Sequence, residues 1–287
     1  LRWLITGAGG QVGSDLLRTI VDADVRAVTH ADLDITDAAA VEELVARYAP
    51  DVVVNAAAYT AVDAAESNEA AAYEVNARGP AVIAAALARH GGRLVHISTD
   101  YVFAGDAKRP YEVDDAPQPR SAYGRTKLAG EQAVRELLPE SSYLVRTAWI
   151  YGAAGSNFVK TMVASERQRD TVSVVDDQCG APTWSADLAR GLVELVQSAA
   201  PPGTYHCTGS GETTWFGLTR EIFVQLGADP GRVLPTTTAA FPRPAPRPAY
   251  SVLSPAAWLA AGLRPMPHWR DALRAAFSAD GEALRGR

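Results

Sequence analysis

Cysteine, lysine and long apolar runs are all scarce in this 287-residue chain, and each scarcity narrows what it can be. Cys179 and Cys207 are the only cysteines; they lie far apart with no C-x-x-C, so neither a disulfide framework nor a thiolate metal site is indicated. His30, His90, His96, His206 and His268 stand singly, without ligand spacing. No apolar run reaches transmembrane length, and no leader precedes the opening Leu1-Arg2-Trp3-Leu4-Ile5, so a cytoplasmic, reducing setting without a membrane partner is expected. The net charge of −6 offers no basic stripe for phosphate neutralisation, which argues against nucleic acid as the main partner. A small anionic substrate held by a few local arginines stays compatible with it. Apolar residues at 47% and charged residues at 21% describe an ordinary globular chain with a large core.

Short β-rich runs alternate with helical ones in the first half. Strands are expected at Arg2–Thr6, Val25–Thr29, Asp51–Asn55, Leu94–Ser98 and Tyr143–Thr147, several of them apolar without alternation, as in strands buried on both faces. Helices are expected between them at Gln11–Ile20, Ala38–Tyr48, Ala70–Arg89 and Ala122–Leu138. This rhythm implies an α/β fold, a doubly wound parallel sheet of Rossmann type. After Trp149-Ile150-Tyr151-Gly152 it breaks into helices separated by Pro/Gly-rich segments, such as Ala200-Pro201-Pro202-Gly203 and Phe241–Pro248. The expected organisation is a dinucleotide-binding domain at 1–150 and a smaller, mainly substrate-binding α/β part at 151–287, with segments around 185–208 returning to the first. The proline run reads either as a linker or as an ordered binding loop.

Only Lys108, Lys127 and Lys160 are lysines, against ten tyrosines, so a Tyr-x-x-x-Lys pair would arise by chance roughly 0.1 times. Tyr123 and Lys127 form one. On a helix that spacing stacks both side chains on one face. An ammonium beside a phenol favours the phenolate, so the Tyr123 pKa is expected to fall from about 10 toward neutrality, making it a proton donor or acceptor near physiological pH. The plainer alternative is a surface helix carrying an unremarkable tyrosine and lysine.

Gly7, Gly10 and Gly13, in Thr6-Gly7-Ala8-Gly9-Gly10-Gln11-Val12-Gly13, fall where the first strand meets the first helix. Glycine there permits a tight turn and close approach to a pyrophosphate, and the helix N-terminus supplies N–H groups to it. The second strand ends Val28-Thr29-His30, with neither the acid that would select NAD nor the arginine that would select NADP. That tolerance leans toward NADPH, with NADH also usable. Asp34, in Leu33-Asp34-Ile35, is a candidate acceptor for the adenine amino group or, alternatively, the cap of the next helix. Small residues in Asn55-Ala56-Ala57-Ala58-Tyr59-Thr60 leave room for a cofactor across the third strand end. Thr99 and Asp100 end the fourth, where a hydroxyl can share a substrate carbonyl oxygen with Tyr123.

Together these features resemble the extended short-chain dehydrogenase/reductase superfamily. Longer stretches are similar to one branch, the dTDP-4-dehydrorhamnose reductases: Gly10–Gly13, Val54–Asp63, Ser98–Phe103, Tyr123–Glu131, Arg146–Tyr151, Asn157–Met162, Asp177–Thr183 and Arg247-Pro248. The resemblance implies hydride transfer from NAD(P)H to C4 of dTDP-4-dehydro-β-L-rhamnose, a nucleotide sugar. It implies Tyr123 as proton donor, Lys127 lowering its pKa and holding the nicotinamide ribose, and Thr99 orienting the carbonyl. Gly7, Gly10, Gln11, Val12, Gly13, Asp34, Ile35, Ala58, Tyr59 and Thr60 would line the cofactor. Thr99, Asp100 and Trp149 would meet the sugar, and Arg247 the nucleotide diphosphate. Trp149 reads otherwise as core and Arg247 as a surface charge. Some members are described as Mg²⁺-linked dimers; Asp15 is a candidate ligand without acidic partners, so no metal is expected, and the chain is a monomer or homodimer. A reductase of another dTDP-4-keto sugar is an open alternative. An epimerase or 4,6-dehydratase is a second; Tyr101 stands where a dehydratase would want another acid. A non-catalytic protein, like the regulatory subunit of methionine adenosyltransferase, is a third.

Overall fold

A computed structural model describes residues 1–286. Its first half runs β1 (Arg2–Thr6), α1 (Gln11–Thr19), β2 (Asp24–Val28), α2 (Ala38–Tyr48) and β3 (Val52–Asn55). Then come two short helices, α3 (Val62–Ala65) and α4 (Glu69–Tyr73), a π-helical turn at Glu74–Arg78, and α5 (Gly79–His90). β4 (Arg93–Thr99), α6 (Ala122–Leu137) and β5 (Ser142–Thr147) follow. The sequence led us to expect one helix over Ala70–Arg89, and the structure interrupts it. Pro80, at the start of α5, has no N–H to return to the Asn76 carbonyl, so the ladder widens there into the π turn.

The chain continues through β6 (Ile150–Tyr151), α7 (Phe158–Gln168), β7 (Val172–Val175), β8 (Cys179–Gly180), β9 (Thr183–Trp184), α8 (Ser185–Gln197), β10 (Gly203–His206), β11 (Thr213–Thr214), α9 (Trp215–Gln225) and β12 (Val233–Thr236). α10 (Ala256–Ala260), α11 (Trp269–Ala279) and α12 (Gly281–Leu284) complete it. Six parallel strands form the central sheet in the order β10-β5-β4-β3-β1-β2. β10 joins beside β5, from Gly203 opposite Tyr143 to His206 opposite Arg146, and α8 packs on α1. The chain thus leaves the sheet after β5 and returns to it at residues 185–206.

Alternating side chains of β1 feed two cores. Trp3 and Ile5 pack with Leu16, Leu188, Leu192 and Tyr205, while Leu4 packs with Val53, Ile83, Leu87 and Leu144 on the other face. β3 and β5 are buried along their whole length, which explains apolar runs with no alternation. A third core gathers Tyr151 from β6 with Val163, Leu218, Phe223, Trp269 and Phe277 from α7, α9 and α11. Each fully buried side chain of this size stabilises the fold by about 1.5–3 kcal/mol. The proline-rich segment is tied down: Tyr250 N donates to Gly105 O (2.9 Å) and Cys179 N to Ala249 O (2.8 Å). Among the described residues no helix is long and apolar enough to cross a membrane.

Candidate active site

Strand order reverses at β1, flanked by β2 and β3, and a crevice at the carboxyl ends of such strands is where ligands of this architecture bind. Gly7 turns the chain there with φ +69°; a Cβ would lie 2.5 Å from Ala57 N and 2.6 Å from Ala56 C. At Gly13 a Cβ would lie 2.7 Å from Ala8 Cα, so α1 can sit this close to β1 only without a side chain. Gly10 N closes the turn on Gly7 O (3.0 Å), and no side chain caps the N-terminus of α1. Its first N–H groups fit a pyrophosphate. Gln11 Oε1 accepts from Asn157 Nδ2 (3.0 Å), which links this helix to the entry of α7. Val12 is buried in the core, leaving only its backbone to a ligand.

At the end of β2, Thr29 lies beside Gly9. The strand end itself carries no acid, but Asp32 folds back onto it: its Oδ2 accepts from Thr29 N (2.9 Å) and Thr29 Oγ1 (2.7 Å), bonds that hold its pKa below the usual carboxylate range. The signal was an acid three residues beyond Thr29, within reach of a turn. Asp34 is exposed and closes its own turn on Thr36 N (2.9 Å). It does not cap α2; Asp37 does, accepting from Ala39 N (3.0 Å) and Ala40 N (3.1 Å). The Ile35 side chain is buried against Gly79 in the core.

Ala58, Tyr59 and Thr60 follow β3, the first two half-buried and Thr60 exposed. Sequence reasoning missed what holds them. Asn76, in the π turn, accepts from Tyr59 N (2.8 Å) and donates to Tyr59 O (3.1 Å) and Thr126 Oγ1 (3.2 Å). A buried asparagine in an otherwise Ala-rich stretch was the available signal.

α6 is set by two caps: Ser121 Oγ accepts from Gly124 N (3.1 Å) and Glu66 Oε1 from Ala122 N (2.8 Å). Its first turn carries Tyr123, half-buried, edge-on to Tyr101 with ring centroids 5.6 Å apart. Thr99 Oγ1 donates to Asp100 Oδ1 (2.9 Å) and stands beside Tyr123. Lys127, one turn on, is buried; its Nζ donates to Ile97 O (2.6 Å) and lies 3.5 Å from His96 Nε2. This corrects the expected electrostatics. Lys127 Nζ engages the β4 carbonyl rather than the phenol, and burial pushes Tyr123 up to about 12, with Thr99 opposing the rise. Burial likewise lowers Lys127 to about 8. Asp100 is raised to about 6 by burial, with Oδ2 lacking a hydrogen-bond partner.

On the other wall Trp149 adopts φ +48°, a left-handed conformation that costs a tryptophan about 1–3 kcal/mol. It stacks on Trp215 with centroids 3.4 Å apart and planes 5° from parallel. Trp215, unforeseen from sequence, is fixed by Nε1 donating to Gln178 Oε1 (3.1 Å). Arg247 is no free surface charge: Nη2 pairs with Asp63 Oδ2 (2.8 Å) at the start of α3. Asp15 Oδ2 accepts from Ser185 Oγ (2.5 Å) and its Oδ1 faces Arg18 (3.4 Å). Among the described residues no three His, Cys, Asp or Glu side chains gather as a metal site would require.

A glycine-rich turn, a strand-end hydroxyl, a phenol and a lysine thus meet along one edge of the sheet, an arrangement suited to proton and hydride transfer at a carbonyl. The model of the RmlD substrate binding domain matches residues 1–281. A dTDP-4-dehydrorhamnose reductase of Streptomyces griseus is 53% identical over 285 residues, covering 97% of this chain and 93% of its own. A probable dTDP-4,6-dihydroxy-2-methyloxan-3-one 4-ketoreductase of Streptomyces antibioticus is 51% identical over 282 residues, covering 96% and 95%. Among solved structures, a dTDP-4-dehydrorhamnose reductase of Bacillus anthracis in complex with NADP superposes with a TM-score of 0.93 at 39% identity, covering 96% of this chain and 98% of that one. The chain belongs to the RmlD substrate binding domain family.

Proposed function

We propose that this protein is an NAD(P)H-dependent reductase that converts the C4 keto group of dTDP-4-dehydro-β-L-rhamnose to the alcohol of dTDP-L-rhamnose. The observation that carries the reading is that Thr99, Tyr123 and Lys127 gather at the end of β4, on the sheet edge that also carries the glycine turn of β1. The names of the relatives, and the NADP held by the Bacillus anthracis enzyme, support it. Residues 1–150 with the returning 185–208 segment form the dinucleotide part, and the rest of 151–287 mainly the sugar-nucleotide part.

A bound reduced nicotinamide supplies the hydride. The free N–H groups at the start of α1, those of Gln11 and Val12, would hold the pyrophosphate in the turn built by Gly7, Gly10 and Gly13. Asn76 fixes the Tyr59 backbone, so Ala58, Tyr59 and Thr60 present a set surface to the cofactor. Thr99 orients the carbonyl oxygen, and Tyr123 gives that oxygen its proton as C4 is reduced. Lys127 binds the nicotinamide ribose. Thr99, Asp100 and Trp149 bound the sugar, and Arg247 meets the diphosphate after exchanging its Asp63 partner. NADPH is the preferred donor, with NADH accepted.

Turnover of dTDP-4-dehydro-β-L-rhamnose, followed by loss of reduced nicotinamide and identification of the product, tests the proposal. A second reading, reduction of a different dTDP-4-keto sugar, is favoured by the relative from Streptomyces antibioticus. Steady-state kinetics over a panel of such sugars separates the two. No turnover of any of them would leave the epimerase or dehydratase reading and the non-catalytic one.

A further inference from the structure

His96, in the middle of β4 with no exposed surface, is a buried titratable group that the proposed chemistry leaves without a task. It belongs to a column of buried polar groups. Thr6 Oγ1 donates to Asn55 Oδ1 at 2.7 Å, and the Ala57 N–H donates to the same atom at 3.2 Å. A backbone N–H can only donate, so the atom it meets is the amide oxygen, and the amide nitrogen must be the group 3.2 Å from His96 Nδ1. That nitrogen can only donate in turn. Nδ1 therefore carries a lone pair, and the ring proton sits on Nε2. A second proton on Nδ1 would set two donors against each other. Burial and the neighbouring Lys127 also hold the His96 pKa well below its ordinary value.

Nε2 faces Lys127 Nζ at 3.5 Å, while Nζ donates to Ile97 O at 2.6 Å. An amine can accept the Nε2–H with its lone pair; an ammonium has none to offer. The other groups around the lysine do not cancel this preference. Tyr123 and Glu131 share its helix, and Asp100 follows Thr99 at the end of β4. Glu131, the carboxylate that favours the ammonium, is gripped by Arg146 of β5 through two bonds of 2.9 and 2.7 Å. Asn55 on β3 and Asn76 on the π turn are uncharged.

We propose that His96 is a positioning residue for Lys127: fixed as the Nε2–H tautomer by Thr6 and Asn55, it presents an N–H to the lysine and favours the neutral amine. A lysine so poised exchanges its proton readily around neutral to mildly alkaline pH. The kinetic consequence rests on the function proposed above; the protonation state itself does not.

Having so few lysines makes the test direct. Full-length protein labelled with carbon-13 at lysine Cε gives signals from Lys108, Lys127 and Lys160 alone, assigned through Lys108→Arg and Lys160→Arg. Long-range proton–nitrogen correlation of the histidines reads the His96 tautomer in the wild-type chain, where Nδ1 should be unprotonated. His96→Gln can turn an amide oxygen to the lysine. His96→Asn offers the same amide oxygen on a shorter side chain, again with no added charge. Each should raise the Lys127 titration midpoint by about one pH unit or more, roughly tenfold in proton affinity. An Nδ1–H tautomer of His96 in the wild-type protein, or a Lys127 midpoint unmoved in the folded variants, would overturn the proposal; if neither variant folds, the wild-type tautomer decides. A raised midpoint in a protein that reduces no dTDP-4-keto sugar would uphold this inference and reject the proposed function.

Discussion

Arg247 and Asp63 grip each other beside the phenol of Tyr101: Arg247 Nη2 lies 2.8 Å from Asp63 Oδ2, and both charges act on Tyr101, which stands edge-on to Tyr123. The Ala245 N–H reaches the other carboxylate oxygen at 3.2 Å. The proline-rich segment is thus latched to α3 through the same side chain proposed to meet the substrate diphosphate.

Two substitutions separate latch from ligand. Arg247→Ala should raise the sugar-nucleotide KM by roughly tenfold or more, the scale of a charged hydrogen bond, and leave the NADPH KM nearly unchanged. Asp63→Asn removes the competing carboxylate, so the same KM should fall, while hydrogen exchange across residues 241–250 speeds up in the ligand-free protein. A KM raised equally by both changes would make the pair a structural clamp and remove Arg247 from the substrate site.

Tyr123→Phe should preserve the fold and NADPH binding and lower kcat by about 10²–10⁴, the usual contribution of a positioned acid. Since burial lifts the phenol to about 12 and Thr99 holds it partly back, Thr99→Val should also lower kcat, with the tyrosine intact. Near-wild-type kcat in Tyr123→Phe would exclude it as the proton donor.

Cofactor choice turns on Asp32, whose carboxylate hangs on Thr29 at the end of β2. An exposed negative charge there opposes a 2′-phosphate without matching the strand-end acid that grips a ribose hydroxyl. Both cofactors should therefore work: the missing strand-end acid favours NADPH, and Asp32 keeps that preference modest. Asp32→Asn should widen that preference by about three- to tenfold through the NADPH KM alone. A wild-type preference for NADH beyond about tenfold, roughly 1.4 kcal/mol, would contradict the ribose-site reading.

The strands of the sheet were legible because burial on both faces wrote them as unbroken apolar runs, as in Val52-Val53-Val54 and Leu144-Val145. β10 was harder to read: Gly203-Thr204-Tyr205-His206 is short and polar, follows two prolines, and owes its place at the sheet edge to pairing with β5. The same limit applied within the site. Glycine spacing and the Tyr123–Lys127 interval are local, so sequence exposed them. Partnerships across the chain are not: Asp63 with Arg247, Glu66 with the first turn of α6, and Trp215 under Trp149 become visible only once the elements pack. The direction of the Tyr123 shift escaped the sequence for this reason too, since spacing places the lysine on the right face but says nothing of the Ile97 carbonyl that accepts its hydrogen bond.

Asp100 should leave a pH signature in stability. Its carboxyl is buried, with one oxygen bonded to Thr99 and the other without a partner, and burial raises its pKa from 3.8 to about 6. The native state therefore holds a proton that the unfolded chain has already released. Stability from this group is fully present below about pH 4 and is lost as pH rises through 6. A rise of that size corresponds to roughly 3 kcal/mol at most. Asp100→Asn keeps the shape and cannot ionise, so its stability relative to wild type should climb between pH 4 and 7 by a few kcal/mol at most and level off above. Urea denaturation of both proteins at matched pH values reads this difference. A difference independent of pH would mean that Asp100 ionises in the folded protein as easily as in the unfolded one. The second oxygen would then be accepting a hydrogen bond from the buried Ser251 hydroxyl or from solvent, and the pocket proposed for the sugar would hold a carboxylate already satisfied before the substrate arrives.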